Sequence, residues 1–254
     1  MKFIVIKIGG STLSDMHTSI INNIKHLRSN NIYPIIVHGG GPFINDALSN
    51  QQIEPHFVNG LRVTDKATMT ITKHTLIADV NTALVAQFNQ QQCSAIGLCG
   101  LDAQLFEIKR FDQQYGYVGV PTTLNIDSLS YLCTKFVPII NSIGFNNHDG
   151  EFYNINADTL AYFIAASLEA PIYVLIAGVL INDVVIPQLP LVDIHQYIEH
   201  GDIYGGMIPK VLDAKNAIEN GCPKVIIASG NKPNIIEAIY NNDFVGTTIL
   251  KSSV

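Results

Sequence analysis

Two clusters of glycine follow apolar segments of the sequence, and a lysine stands close before the first. Lys7 lies inside an otherwise apolar run that ends at the glycine pair 9–10, and a second apolar run ends at glycines 39–41. Glycines let backbone N–H groups approach an anion closely, and a lysine at the end of a buried strand extends to solvent or meets an anion. The clusters predict an anion site, although tight strand-to-helix turns would use the same glycines.

Two other basic residues have surroundings that suit the binding of an acidic group. Lys210 follows the glycine pair 205–206 and lies in a helical pattern that runs to about residue 219. Arg62 is flanked by apolar residues in the segment NGLRVT, and a guanidinium can bind a carboxylate through two parallel hydrogen bonds. Taken alone, a solvated helix lysine and a surface arginine of a hairpin explain these residues equally well.

A third polar group lies at the start of a predicted helix. The segment NINAD places Asn154, Asn156 and Asp158 just before an apolar helical pattern over 157–168. Asn156 is a typical N-cap residue, because its side-chain oxygen can accept a hydrogen bond from the first turn. A cap accounts for one of the three residues, whereas all three together indicate binding.

The elements that position these residues alternate along the chain. Short β-branched runs are separated by longer segments of helical period. The runs cover 3–8, 33–38, 94–99, 136–141, 171–176 and 224–229, and the helical segments include 16–29, 43–51, 66–90, 157–168 and 233–240. Strands that are apolar on both faces are typical of a parallel sheet covered by helices. We predict an α/β fold with an open, mainly parallel central sheet between helices.

The predicted domain organisation is a single domain over 1–254 with two lobes. The lobes are predicted to meet at about residue 170, and the second continues from about 171 to 254. Polar segments near 55–64, 104–120 and 145–155 interrupt the alternation and predict hairpins or loops. Ligands of such sheets bind beyond the carboxyl ends of the strands, where the glycine clusters lie.

Composition excludes several classes of partner. A net charge of −6 over 254 residues gives no electrostatic footprint for nucleic acid or an anionic membrane. The longest apolar run, 172–181, is half as long as a membrane helix, and no signal peptide is indicated, so we expect a cytosolic protein. The four cysteines form no C-x-x-C pair and no H-E-x-x-H occurs, so neither a disulfide framework nor a protein-bound metal is predicted.

Three common phosphate and ester motifs are absent. The chain has no G-x-x-x-x-G-K-[ST], which excludes a P-loop, and Ile44 replaces the third glycine of a dinucleotide fingerprint. The stretch HGGG also occurs in α/β-hydrolases, but no G-x-S-x-G accompanies it here. The sequence shows no convincing nucleophile–base pair, and His38, which opens this stretch, is interpreted as a turn residue.

Five motifs together resemble the amino acid kinase family. They are KIGGS, VHGGGP, NGLRVT, NINAD and GGMIPK, in this order, and the resemblance continues to the segment GTTI at 246–249. The first two are similar across the family, whereas NGLRVT and NINAD resemble the branch that phosphorylates the side-chain carboxylate of N-acetyl-L-glutamate in arginine biosynthesis. The resemblance implies ATP, with Mg²⁺ neutralising the nucleotide oxygens, and an amino-acid substrate.

The resemblance also implies a role for each matching residue. Lys7 and Lys210 would contact the phosphoryl group in transfer, and Asp158 would hold these ammonium groups in place. Glycine N–H groups would bind phosphate at Gly9, Gly10, Gly39 and Gly40. The amino acid would contact Gly40, Gly41, Arg62 and Asn154, with Arg62 at its α-carboxylate and Asn154 at its acetylated amino group. Nucleotide contacts would come from Gly178, Gly205, Gly206 and Met207.

The sequence differs from those of its relatives at two places. Relatives have a Ser/Thr-Asp dipeptide between the strand and the V/I-x-G that follows, whereas this chain reads Val174 to Gly178 without it. Arginine-inhibited relatives have a helix before the first strand, so the resemblance implies an uninhibited homodimer, with the segment 66–90 as a candidate interface or a helix buried in its own subunit.

Other functions remain open at this point. Family members that act on carbamate, UMP or glutamate share the glycine motifs, but carbamate has no α-carboxylate for Arg62 and Asn154 to hold. A catalytically silent ligand sensor would keep the glycine loops, yet binding alone does not need both Lys7 and Lys210.

Overall fold

The computed structural model describes residues 1–14, 16–175, 180–181, 184–243 and 246–251. The described helices are α1 (Gly10–Ser14), α2 (Ser19–Ser29), α3 (Gly41–Ser49), α4 (Lys66–His74), α5 (Thr82–Gln90), α6 (Ile126–Lys135), α7 (Ala157–Ser167), α8 (Ile194–Glu199), α9 (Met207–Glu219) and α10 (Ile235–Tyr240), with a π-helical segment at Thr75–Asn81. The described strands are β1 (Lys2–Ile8), β2 (Ile32–His38), β3 (Phe57–Val58), β4 (Leu61–Arg62), β5 (Ala95–Leu98), β6 (Phe106–Arg110), β7 (Gly119–Leu124), β8 (Val137–Asn141), β9 (Ile143–Asn146), β10 (Glu151–Asn154), β11 (Ile172–Leu175), β12 (Leu180–Ile181), β13 (Val184–Val185), β14 (Gln188–Pro190), β15 (Val225–Ala228) and β16 (Gly246–Leu250).

The chain divides into two compact units. The first unit combines Met1–Pro34 with Ala161–Val254, and the second is Ile35–Leu160. This division follows contacts within the fold and groups the first strand with the C-terminal part of the chain. The family resemblance implies an amino-acid-substrate and dimerisation lobe over about 1–170 and a nucleotide lobe over about 171–254, and this division stays a prediction.

The sheet of the first unit is mainly parallel. Its strands follow the order β14-β16-β15-β11-β1, and only β15 and β16 run antiparallel. The last five residues of β1 and all of β11 and β15 are buried, and apart from Lys7 their side chains are apolar or aromatic toward both faces of the sheet. The carboxyl ends of β1 and β11 lie in register, with Lys7 opposite Val174 and Ile8 opposite Leu175.

The second unit has its own parallel strands and three hairpins. Strand β8 lies between β2 and β5, and both pairings are parallel. The polar segments predicted as hairpins or loops form the antiparallel pairs β3–β4, β6–β7 and β9–β10. The carboxyl end of β2 places His38 opposite Asn141 and leads directly into the glycine loop before α3.

The predicted fold class is confirmed. Each predicted β-branched run contains a parallel strand, and each predicted helical segment contains a helix. The predicted helical segment 16–29 corresponds to α2, which begins at Ser19, and the short helix α1 of five residues precedes it directly after the first glycine cluster. Helices α6 and α8 are not among the predicted elements.

The long helical segment at 66–90 is buried largely within its own chain. Ile71, Leu76, Val80 and Leu84 are each less than 9% exposed, whereas Ala78 is exposed. The π-helical segment widens the middle of this helix and turns Asn81 inward, where it is 5% exposed. Burial within the same subunit therefore accounts for most of the apolar residues of this segment, which the sequence analysis also considered as a dimer interface.

The structure also bears on the four cysteines and on candidate membrane helices. Cys93, Cys99, Cys133 and Cys222 are buried, as expected for small apolar side chains. None of the helices in the described part of the chain combines the length and the apolar character needed to cross a membrane.

The N-cap of α4 provides a test of the local fold. Asp65 accepts a hydrogen bond from the Thr68 backbone N–H at 2.7 Å, which holds the pKa of its carboxyl below the ordinary value. Asp65→Ala is expected to lower the free energy of unfolding by about 0.5–2 kcal/mol at pH 7, as measured by urea denaturation. Asp65→Asn, which keeps an accepting oxygen, is the control and should cost less.

The pH dependence of this contribution has a defined sign. Because the folded pKa of Asp65 is depressed, its stabilising charge is fully present above the unfolded pKa, near 3.9, and is lost as the pH falls through the folded pKa. The difference between the wild type and Asp65→Asn should therefore shrink on acidification. A difference that grows toward low pH would contradict the cap.

Candidate functional site

The second glycine cluster forms the turn between β2 and α3. Gly40 is the N-cap of α3, with an extended φ of 178°, and Pro42 lies in the first helical turn. A Cβ at Gly39 would lie 3.0 Å from the Ala157 Cβ, and one at Gly40 would lie 2.7 Å from a Leu76 methyl group. Neighbouring side chains crowd these two positions, and the glycines bring bare backbone to the start of a nine-residue helix.

Arg62, on the short strand β4, lies against the first turns of α3. Its Nη2 donates to the Asn45 Oδ1 at 2.6 Å and to the Gly41 carbonyl oxygen at 3.4 Å. The guanidinium also stacks on the Phe57 ring, 4.6 Å from the ring centroid, and the residue is only 7% exposed. These contacts fix the plane of the guanidinium next to the glycine loop.

One end of this guanidinium is buried without a partner. The Arg62 Nη1 has no hydrogen-bond acceptor among the residues that the structure describes. Burial lowers the pKa of Arg62, since the charged form has lost contact with water. An arginine that is held rigidly, desolvated and left with unused donors is suited to binding an acidic ligand through parallel hydrogen bonds.

Asn154 is connected to Arg62 through Thr64. The Asn154 Nδ2 donates to the Thr64 Oγ1 at 3.3 Å, and this hydroxyl donates to the Arg62 carbonyl oxygen at 2.9 Å. The Asn154 backbone N–H donates to the Tyr117 carbonyl oxygen at 2.9 Å, which fixes the end of β10. Gly41, Arg62 and Asn154 therefore belong to one connected set of contacts in the second unit.

Asp158 is the second residue of α7, the helix that follows β10. Asn156 caps this helix, because its Oδ1 accepts from the backbone N–H groups of Asp158 at 2.8 Å and Thr159 at 3.2 Å. The capping alternative for Asn156 is thus confirmed. It does not account for Asp158, whose carboxylate lies in the first turn, where the helix dipole favours a negative charge.

Lys7 and the first glycine cluster lie in the first unit. Lys7 is 5% exposed near the carboxyl end of β1, and burial of an ammonium group in a sheet requires compensation by nearby polar or charged groups. The Gly9 backbone N–H donates to the Leu175 carbonyl oxygen at 3.2 Å, and the Thr12 hydroxyl donates to the same oxygen at 3.2 Å. Gly10 begins the short helix α1.

Lys210 lies in the first turn of α9, also in the first unit. Gly205 precedes this helix with a φ of +57°, in the left-handed region, and Gly206 is the N-cap. The Tyr162 hydroxyl donates to the Lys210 carbonyl oxygen at 3.4 Å, and Met207 begins the helix. Gly178, predicted to contact the nucleotide, lies outside the described residues, as do Ile176 and Ala177 of the segment with the absent dipeptide.

Sequence comparison relates this arrangement to known proteins. A sequence model of the amino acid kinase family matches residues 2–229. This match spans most of the chain, including all five motifs. The chain belongs to the amino acid kinase family. It is 97% identical to the acetylglutamate kinase of Staphylococcus aureus strain MRSA252 over all of both chains, and 94% identical to that of strain JH9 over 99% of this chain and 100% of the relative.

The alignment with the MRSA252 kinase is longer than this chain. Its 256 aligned positions exceed the 254 residues of this amino acid kinase, so at least two positions have no residue in this chain. This number equals the length of the dipeptide that the sequence analysis finds absent. Its location before Ile176 stays a prediction.

Two solved structures have the same fold. The smu.665 protein of Streptococcus mutans UA159 superimposes with a TM-score of 0.87, at 30% identity and with 98% of each chain covered. Carbamate kinase from Giardia lamblia superimposes with a TM-score of 0.68 over 99% of each chain, but at 16% identity. The second likeness concerns the fold alone.

The structure adds residues to this amino acid kinase site that the sequence analysis does not single out. Asn45 holds the Arg62 guanidinium, and Thr64 connects Arg62 with Asn154. Asn45 follows Gly41 by four residues, so it lies one turn further along the same face of α3, and that spacing is the only sequence signal for it. Its role depends on contact with a separate hairpin, which local sequence does not encode.

Proposed function

We propose that this chain is an acetylglutamate kinase, which transfers the γ-phosphoryl group of ATP to the side-chain carboxylate of N-acetyl-L-glutamate. The full-length relatives at 94–97% identity have this name. The structural observation that carries the proposal is the buried Nη1 of Arg62, which has no partner in the described part of the chain, on a guanidinium that contacts Gly41 and is linked to Asn154 through Thr64. A substrate with an α-carboxylate would supply the acceptor that this guanidinium lacks.

The proposed substrate explains why the amino-acid site needs both a cation and an amide. Arg62 would bind the α-carboxylate, and Asn154 would meet the acetylated amino group, which is a neutral amide and forms no ion pair. Gly40 and Gly41 would contribute backbone groups to the same ligand. The contacts of Asn45 and Phe57 with the guanidinium support this role, because a rigid arginine loses less freedom when it binds.

The proposed reaction requires no general base at the acceptor. The side-chain carboxylate of the substrate has an ordinary pKa of about 4.3 and is ionised at neutral pH. Catalysis then depends on alignment and on stabilising the charge of the transferring oxygens. Lys7 and Lys210 are proposed to supply that charge, with N–H groups of Gly9, Gly10, Gly39 and Gly40 along the path of transfer.

The nucleotide side of the proposal rests on the first unit. Gly205, Gly206 and Met207 form the start of α9, where exposed N–H groups and the helix dipole suit phosphate oxygens. Mg²⁺ bound with ATP would neutralise charge on the β and γ oxygens. The proposed contact of Gly178 and the role of Asp158 in holding the two ammonium groups stay predictions.

Three further parts complete the proposal. We propose that the chain forms a homodimer, that it acts in the cytoplasm, and that no metal is held by the protein itself. None of these is needed for the assignment of Arg62.

A panel of acceptors tests the proposed function. The full chain is incubated with ATP and Mg²⁺, and ADP release is measured with acetylglutamate, glutamate, aspartate, carbamate and UMP. We expect turnover with acetylglutamate well above that with glutamate, because an unacetylated ammonium group would be placed next to the Asn154 amide. Turnover confined to carbamate or UMP would refute the proposal, and no turnover with any acceptor would favour a ligand sensor.

A further inference from the structure

A buried histidine connects the glycine loop to the π-helical segment of the second unit. His38, the last residue of β2, is fully buried, and its Nδ1 lies 2.9 Å from the carbonyl oxygen of Gly39. Its Nε2 lies 2.9 Å from the Nδ2 of Asn81, the last residue of the π-helical segment. The same Nδ2 lies 2.8 Å from the carbonyl oxygen of Ile139. The interpretation of His38 as a turn residue does not explain this chain of contacts.

These contacts determine where the protons lie. A carbonyl oxygen can only accept, so the Asn81 atom facing Ile139 must be the NH₂ group, and its second hydrogen is directed at His38. The Nε2 must therefore accept. At the other nitrogen, the Gly39 oxygen can only accept, so Nδ1 must carry the proton. The contacts of both ring nitrogens therefore require the same form, a neutral imidazole with its proton on Nδ1.

The proton on Nδ1 holds one peptide group of the glycine loop. Because a trans peptide is planar, fixing the direction of the Gly39 carbonyl directs the Gly40 N–H to the opposite side. Glycine has little conformational preference of its own, so an external contact is needed to keep this peptide in one orientation. The Gly40 N–H is one of the groups proposed above to bind the transferred phosphoryl group.

We propose that His38 is a positioning residue for phosphoryl transfer, and that Asn81 selects the tautomer in which His38 holds the Gly39–Gly40 peptide. The inference deepens the proposed function and depends on it for its kinetic consequence. Its structural part, the tautomer, does not depend on the reaction.

Two features of the fold place Asn81 where it acts. The π-helical segment directs its side chain into the core, toward β2 and β8. Gly97, on β5, has no side chain, and a Cβ there would overlap with the Asn81 amide oxygen. Burial lowers the pKa of His38 to about 4, so the ring stays neutral in the physiological range and can accept from Asn81.

The tautomer is measured on the full wild-type chain without substrate. After labelling of histidine with ¹⁵N, the side-chain nitrogens of His38, assigned by comparison with a His38 variant, should show a protonated Nδ1 and an unprotonated Nε2 between about pH 6 and 8. A protonated Nε2 in the wild type would overturn the inference, whether or not any variant folds.

The role of Asn81 is tested by reversing its hydrogen bond. Asn81→Asp has the same shape but no N–H to donate, so the His38 Nε2 is expected to become protonated. Asn89→Asp is the matched control, because Asn89 lies on the adjoining helix α5 and its Oδ1 accepts from the Ala95 N–H, as a carboxylate also would. Unprotonated Nε2 in both variants would contradict the assignment of Asn81.

The kinetic consequence is tested with two substitutions of His38 that separate shape from hydrogen bonding. His38→Asn keeps a donor at the δ position but leaves a void, whereas His38→Phe keeps the ring shape without a donor. If His38 positions the peptide, His38→Phe should lower kcat for acetylglutamate by roughly tenfold or more, with a smaller change in KM, and His38→Asn should retain more of the kcat. A packing role predicts the opposite order, because Phe fills the core better, and that order would overturn the inference.

Failure of this inference can be told apart from failure of the proposed function. If the wild type does not phosphorylate acetylglutamate but His38 has its proton on Nδ1, the proposed function fails and the hydrogen-bond assignment stands. If the wild type is active and both His38 variants keep the wild-type kcat, only the positioning role is refuted. Thermal unfolding of each variant shows whether the active fraction is folded.

Discussion

Replacing Lys210 with alanine is expected to lower kcat for acetylglutamate on the order of 100-fold or more, with a smaller change in the KM of either substrate. In the proposed reaction, the charge on the transferring oxygens develops between donor and acceptor, so an ammonium group directed at them stabilises the transition state more than the ground state. Lys210 lies in the first turn of α9, directly after the Gly205 turn, and its place on a helix limits its freedom.

The control for this substitution lies on the same helix. Lys215→Ala removes the same charge from α9, five residues further along, where the Lys215 Nζ contacts the His195 Nε2 at 3.0 Å on the surface. We expect near-wild-type kcat for Lys215→Ala and a similar melting temperature for both variants. If Lys210→Ala and Lys215→Ala have the same kcat, Lys210 is not part of the transfer machinery. Lys210→Arg, which keeps the charge but changes the shape of the donor, should fall between the wild type and the alanine variant.

The strands could be predicted from the sequence because their burial is encoded locally. Apart from Lys7, the run 3–8 is apolar toward both faces, which is typical of a buried parallel strand. The sequence of helix α6 carries a helical signal that the predicted elements leave out, since its buried residues Leu129 and Cys133 lie one turn apart on the same face. The π-helical segment could not be predicted from the sequence. The apolar period continues through 66–90 without a break, and the wider turn is fixed by packing.

The site was predictable as a set of residue types but not as an arrangement. The glycines, Lys7, Lys210 and Arg62 are found by motif, since each motif reflects a need for bare backbone or for positive charge. The contacts that position such residues are tertiary. Asn45 contacts Arg62, 17 residues later in the chain, and Asn81 contacts His38, 43 residues earlier. An asparagine has no local pattern that distinguishes such a role from a solvated helix position, so these partners appear only in the folded chain.

Arg62→Ala is expected to raise the KM for acetylglutamate by about 10- to 100-fold, with a smaller change in kcat and little change in the KM for ATP. The range corresponds to the roughly 1.5–3 kcal/mol of a hydrogen bond to a charged group. Because the α-carboxylate takes no part in bond making, its contacts are the same in the ground state and the transition state, so they act chiefly on binding.

Two further variants separate binding by Arg62 from its contribution to the fold. Arg110→Ala removes the same charge from the second unit at an exposed position, where the Arg110 Nε donates to the Gly116 carbonyl oxygen, and it should leave the KM for acetylglutamate nearly unchanged. Arg62→Lys keeps the charge but cannot form the two parallel hydrogen bonds, so it should recover only part of the lost affinity. An effect of Arg62→Ala on ATP alone would contradict the assignment of the buried Nη1 to a carboxylate. A large loss of melting temperature with an unchanged KM would instead reduce Arg62 to a link between the β3–β4 hairpin and α3, through Asn45.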